Sequence, residues 1–302
     1  MAFYDRAIVR LLPAVPRPVV KRLSGRYIAG EELEDASRVV AELNAAGKAA
    51  TVDVLGEEIV DRAEAEAITR AYLDALAKIE RAGLDANVSV KPTGLGLKLD
   101  LGLCRANLER VVRAAAELGN FVRIDMEDAS TTDETLLLYR ELRGAGLDNV
   151  GVVLQASLRR TLADVRALAD LRPNVRICKG IYVEDESIQF RDFDAVRASF
   201  VRALEELLVT DCYVGIATHD EWLIAQGRRL AEGRPHEFQM LLGVRTHLGD
   251  ELVREGRKLR IYVPYGRHWY AYSLRRLQEN PKIAGYVAAD TFSRLLPGRR
   301  VA

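Results

Sequence analysis

VGVVLQASLRRTLADVRALADLRPNVRICKGIY, residues 150–182, sets the reading of this chain. Residues 150–155 form a short apolar, β-branched run and predict a strand. Residues 158–171 carry apolar side chains at helical spacing, and residues 175–179 predict a second strand. One helix between two strands is the crossover that a parallel pair requires.

The same unit recurs on both sides. Strands are predicted at residues 50–54, 88–91, 121–126, 213–218, 237–241 and 259–263. The helices include 57–82, 101–118, 132–143, 193–209, 221–232, 245–255 and 269–279. Thr132 and Asp192 are expected as N-terminal caps. Gly83, Gly119, Gly144, Gly233 and Gly256 stand where a left-handed C-terminal cap is wanted. Eight evenly spaced units without a linker favour a closed (β/α)₈ barrel of TIM type over an open doubly wound sheet. The open sheet should carry a G-x-G-x-x-G fingerprint, and "GLGLKLDLG" lacks that spacing. The expectation is one domain over residues 1–302, with a proline-broken helical segment at 1–30 and the barrel at 48–280.

Composition narrows the function. Lys+Arg and Asp+Glu each number 44, so no basic face for a nucleic acid is indicated. Cys104, Cys178 and Cys212 are too few and scattered for a disulfide framework and suit a reducing cytoplasm. The four histidines lack metal-ligand spacing, so no metal is expected. No apolar run reaches the roughly 18 residues of a membrane span, and no signal peptide opens the chain. The basic residues of the first twenty-six, opposed mainly by Asp5, leave weak peripheral contact with an anionic membrane face as a possible partner.

A β/α barrel carries its site at the C-terminal strand ends, and six of the predicted strands end in polar residues. They are Ser89 and Lys91; Asp125, Met126, Glu127 and Asp128; Gln155; Lys179, Gly180, Ile181 and Tyr182; Thr218, His219 and Asp220; and Tyr262, Pro264 and Tyr265. One such residue is an ordinary solvated end, but a ring of them is costly without internal partners or a ligand. In the last predicted helix Tyr272, Arg275, Arg276 and Glu279 share a face, a pattern suited to a carboxylate beside an apolar ring.

Together "VSVKPTGLG", "RIDMEDA", "VVLQASLRR", "VRICKGIY", "IATHD", "HEFQMLLGV" and "IYVPYGRHWYAYSLRR" resemble the proline dehydrogenase family over residues 25–291. The chain is similar to its short monofunctional bacterial members, and no downstream aldehyde dehydrogenase domain is seen. The resemblance implies an FAD enzyme that oxidises L-proline to Δ1-pyrroline-5-carboxylate, by hydride transfer from C5 to flavin N5. That is the first step from proline to glutamate, with a quinone accepting the electrons and a separate pyrroline-5-carboxylate dehydrogenase following. It implies that Arg275 and Arg276 clamp the substrate carboxylate, with Lys91 nearby, Asp125 bridging the cations and Glu279 pairing with the arginines. Tyr262 and Tyr272 would pack on the pyrrolidine ring, and Arg176 would lie by N5. Met126, Gln155, Lys179, Gly180, Ile181, Thr218 and His219, with Arg176, would hold FAD. Ile181 departs from the alanine usual there, and the Tyr262-to-Arg275 interval is shorter than in bifunctional relatives.

Two other classes compete. A Schiff-base barrel lyase or aldolase would use Lys91 or Lys179 as nucleophile and Asp125 as proton carrier. It leaves Arg275, Arg276 and the tyrosines without work. A binding protein without catalysis gives no reason for Lys91, Asp125 and Arg176 to converge.

Overall fold

The strands close on themselves. In the computed structural model, which describes residue 20 and residues 25–57, 59–210, 212–270 and 272–273, eight parallel strands form a barrel in chain order. They are β1 (Ala49–Val54), β2 (Ala86–Val90), β3 (Val122–Ile124), β4 (Val150–Gln155), β5 (Asn174–Cys178), β6 (Tyr213–Ala217), β7 (His236–Leu241) and β8 (Leu259–Tyr265). The closing ladder runs from Ala49 opposite Arg260 to Val54 opposite Tyr265.

Along each strand alternate residues face opposite ways. Val52, Val88, Ile124, Val152, Ile177, Ile216, Phe238 and Val263 are buried in one cluster with helix residues such as Tyr72, Leu76, Leu108, Leu138 and Phe200. That cluster is the core between barrel and helices. The other face fills the barrel, usually with branched apolar side chains. Here it is polar. Thr51 Oγ1 donates to Asn87 Oδ1 at 2.6 Å, and Arg260 pairs with Glu237 at 2.8 Å. Arg123 donates to the Asn174 side chain at 2.5 Å and to its carbonyl at 2.7 Å. Gly151 makes this possible, because a Cβ there would stand 2.5 Å from Arg123 Nη1.

The helices are α1 (Leu33–Ala45), α2 (Arg62–Arg81), α3 (Leu101–Glu117), α4 (Thr132–Gly144), α5 (Thr161–Leu168), α6 (Phe193–Val209), α7 (Glu221–Leu230) and α8 (Thr246–Arg254). The list of predicted helices did not include α1. It packs on both β1 and β8 and buries Ala36 and Val40. The seam of the barrel is thus covered by a helix that precedes it.

Several boundaries move for local reasons. α2 begins at Arg62 rather than 57, because Asp61 accepts from Glu64 N at 2.8 Å while Glu64 accepts from Val60 N. Thr132 is not the cap of α4: it opens the helix, and Asp128 caps the preceding 3₁₀ turn through Ser130 N. Asp192 does cap α6, accepting from Ala195 N at 2.8 Å. Gly144 lies inside α4, and the left-handed residue after it is Gly146. β3 is shorter than residues 121–126, so Asp125 to Asp128 leave the ladder and are available to the mouth. The predicted helix 269–279 lies largely outside the described residues. Among those described, no helix is long and apolar enough to cross a membrane.

Candidate active site

At the C-terminal ends of the strands lies a cavity of about 870 Å³, within the range of small-molecule and cofactor sites. Lys91, Asp125, Arg176, Tyr262 and Tyr272 line it together with Met126, Gln155, Lys179, Gly180, Ile181, Thr218 and His219. Sequence reasoning had singled out all twelve. Arg275, Arg276 and Glu279 lie outside the described residues.

A bonded chain crosses the mouth. Lys91 Nζ, from the end of β2, donates to the Tyr262 hydroxyl of β8 at 3.1 Å. That hydroxyl donates to Asp125 Oδ2, beyond β3, at 2.9 Å. Asp125 Oδ1 accepts from Arg176 Nη1 of β5 at 2.7 Å and from Ser89 Oγ at 2.6 Å. The Arg176 guanidinium lies 5.4 Å from the Tyr262 ring centre and the Lys91 ammonium 5.8 Å, within cation–π range. Burial, with the nearby Asp125 and Asp53 carboxylates, pushes Tyr262 well above the ordinary phenol range. It stays a protonated donor.

The sequence reading placed Lys91 beside the substrate carboxylate, but its first partner is another residue. Asp53, fully buried on β1, accepts from Lys91 Nζ with both oxygens, at 2.7 and 2.8 Å. The Tyr72 hydroxyl donates to it at 3.2 Å. Burial alone would lower the Lys91 pKa, yet Asp53 and Asp125 outweigh it and raise the value. Lys91 is therefore held as an ammonium. Asp53 and Gln239 come from the first and seventh strands, the two read as lacking a polar end. Gln239 Oε1 accepts from Arg176 Nε at 2.5 Å. The signal for Asp53 was present, a charge inside the β-branched run TVDV.

On the other wall, His219 Nε2 accepts from Leu241 N at 2.9 Å, which leaves Nδ1 to carry the proton of the neutral ring. Asp220 caps α7 and accepts from Lys179 Nζ at 3.1 Å and from Arg197 Nη2 and Nε at 2.7 and 2.9 Å. Burial would raise its pKa, but these cations hold it down at about 2. Arg197 and the Arg245–Glu221 pair, at 2.6 Å, were missed because each stands on a helix or loop rather than at a strand end. Ile181 is 48% exposed on the cavity wall.

A closed parallel barrel with an ionic cavity at its C-terminal mouth has the architecture of a β/α-barrel enzyme. The model of the family described as "Proline dehydrogenase" matches residues 36–289. Proline dehydrogenase of Deinococcus radiodurans is 37% identical over 303 residues, covering 94% of this chain and 96% of that one. Proline dehydrogenase 1 of Bacillus subtilis strain 168 is 35% identical, covering 87% and 88%. Among solved structures, proline utilization A from Bdellovibrio bacteriovorus, inactivated by N-propargylglycine, superimposes with a TM-score of 0.82 at 23% identity. The match covers 92% of this chain but 36% of that longer one, and it shows the fold. The chain belongs to the proline dehydrogenase family.

Proposed function

We propose that this chain oxidises L-proline to Δ1-pyrroline-5-carboxylate with FAD as cofactor. A quinone as electron acceptor and a separate dehydrogenase for the product complete the reading. The observation that carries it is the chain Lys91–Tyr262–Asp125–Arg176 across the mouth of the cavity, in a member of this family.

The cavity wall fits a flavin nucleotide. Met126, Val153, Ala217, Met240 and Leu241 supply apolar surface, while Gln155, Arg176, Lys179 and Thr218 supply donors. Gly180 takes a left-handed φ of 98°, and a Cβ there would come 2.9 Å from Gln155 Oε1. Only glycine lets the turn after β5 close onto β4 at this wall. A bound flavin supplies the acceptor for the C5 hydride, which no side chain can provide.

The chain's own residues prepare the substrate. Tyr262, oriented by Lys91 and Asp125, offers a ring face to the pyrrolidine, and Tyr272 lines the same cavity. Surrounding cations lower the pKa of the substrate ammonium and favour the free amine that imine formation needs. The Schiff-base alternative is weakened by Lys91, because an ammonium held by two carboxylates is not a nucleophile. Lys179 is likewise paired with Asp220.

The purified protein is expected to be yellow, to bleach with L-proline without oxygen, and to release stoichiometric FAD on denaturation. FMN in its place, or a colourless active protein, overturns the cofactor. Tyr262 also sets specificity. Tyr262→Ser should lower efficiency with L-proline by roughly ten- to two-hundred-fold and narrow the preference over trans-4-hydroxy-L-proline. Steady-state kinetics with both substrates check this, and an unchanged ratio removes Tyr262 as the discriminator.

A further inference from the structure

Beyond β3 the chain runs Asp125-Met126-Glu127-Asp128, and the third residue has no part in the function proposed above. Glu127 is 3% exposed. Its Oε2 accepts from Thr93 N at 2.8 Å and its Oε1 from Thr93 Oγ1 at 2.5 Å. Its main-chain carbonyl accepts from Gln155 Nε2 at 2.7 Å. A single residue thus ties the loop after β2 to the end of β4.

The tied loop is the one that carries Lys91. Only Pro92, whose ring fixes φ, separates Lys91 from Thr93. On its outer side the loop is held by α3, through Asn107 Nδ2 to Leu95 O at 3.1 Å and Cys104 Sγ to Pro92 O at 3.4 Å. Packing alone does not call for a carboxylate at such a position, where desolvation of the charge is expensive.

We propose that Glu127 is a positioning residue: by clamping Thr93 it keeps Lys91 set between Asp53 and Tyr262, and so fixes the Tyr262 hydroxyl against Asp125. This rests on the function proposed above for those side chains.

The clamp is sensitive to pH. Burial pushes the Glu127 carboxyl up to about 7, against the pull of the Thr93 bonds and Lys91. Among the described residues, Lys91 just after β2 and Glu57 after β1 are the charged groups that bear on it, while Cys104 on α3 is a neutral thiol, its pKa pushed up to about 12 by burial and by Glu127. Asp128 is engaged by Lys98 and Ser130. Above about pH 7 the carboxylate accepts from both Thr93 donors. Below it, the protonated group loses the charge that strengthens both bonds and can hold Thr93 Oγ1 only by donating to it, so the clamp loosens and activity falls.

The test is kcat/KM for L-proline against pH in the holoenzyme. The wild type should show an acid limb near pH 7. In Glu127→Gln the component near pH 7 should disappear, leaving only the limb set by the substrate amine, with kcat/KM lowered about ten- to hundredfold above pH 7, as expected for one charge-assisted hydrogen bond lost from a buried site. FAD content should be unchanged. Thr93→Val should reproduce the loss, and Thr93→Ser, which keeps the hydroxyl, should recover most of it. This guards against a glutamine variant that fails to fold. Hydrogen exchange over residues 91–97, corrected for intrinsic rates, reads the clamp without any substrate and should quicken in Glu127→Gln. A wild type inactive on proline with quickened exchange in the variant retains the clamp and overturns the functional reading. An active wild type whose pH profile and exchange are both unchanged in Glu127→Gln overturns the proposal.

Discussion

Replacing Asp53 by asparagine is expected to cost about 3–5 kcal/mol of stability at neutral pH, the penalty of leaving one charge of a buried pair without its partner. Both Asp53 oxygens accept from Lys91; Asp53 is fully buried, and Lys91 is 8% exposed, at the cavity wall. The asparagine keeps one acceptor and turns an N–H₂ toward the ammonium. Asp125, 3.9 Å from Lys91, is already bonded to Arg176, Tyr262 and Ser89. The sign of the pH dependence follows from Lys91. In the wild type its pKa is raised, so its contribution is complete at neutral pH and is lost only as pH climbs above about 10.4, the ordinary lysine value. In Asp53→Asn burial is no longer outweighed and the pKa falls below that value. The folded variant then binds fewer protons than its unfolded chain, and its stability rises with pH. Urea unfolding at about pH 7 and about pH 9.5 should show a wide gap from wild type at the lower pH and a narrower one at the higher. Asp53→Asn combined with Lys91→Met should recover most of the loss. An equal gap at both pH values would mean that Lys91 is not the stranded charge.

Arg275→Met and Arg276→Met should each lower kcat/KM for L-proline by roughly thirty- to several-thousand-fold, or about 2–5 kcal/mol of contact with a buried carboxylate. The described cations of the cavity make this expectation sharp, because each has a carboxylate already. Lys91 is set on Asp53, Arg176 on Asp125, Lys179 and Arg197 on Asp220, and Arg245 on Glu221. A substrate carboxylate would have to compete for any of them. The arginine pair of the SLRR segment is the source to which the sequence reading points, and its adjacent forks suit bidentate binding. Tetrahydrofuran-2-carboxylate, a ring inhibitor with the same carboxylate, should weaken in parallel with proline while FAD content stays at the wild-type level. Near-normal inhibitor affinity in both variants would return attention to Lys91.

The strand and helix pattern was legible because it is local. Alternating β-branched residues and helical spacing place β4, β5 and α6 within a residue or so of where they stand. The boundaries that moved did so through neighbours a few residues away, as when Asp61 and Glu64 delay the start of α2. Helix α1 has an amphipathic sequence, but its role as cover for the seam depends on where β1 and β8 meet. The strand ends were legible too, since polar residues at the close of apolar runs are a compositional signal. Most of the described residues singled out from them line the cavity, while Ser89, Asp128, Pro264 and Tyr265 do not.

What the linear chain could not state was who bonds to whom. Asp53 is a single charge in the run TVDV that the sequence reading did not single out, and its partner Lys91 lies 38 residues on. Tyr262 and Asp125 are 137 residues apart, on β8 and just past β3, which are not neighbours in the sheet. Only closure of the barrel through the β8–β1 ladder brings them face to face across the mouth. Residue type and periodicity, carried by each segment alone, were enough to determine the barrel and the polar ring at its mouth. The pairing of those charges, and with it which cations are already committed, belongs to the tertiary structure, because a buried ion pair is decided by distance and desolvation, and neither exists until the ring is shut.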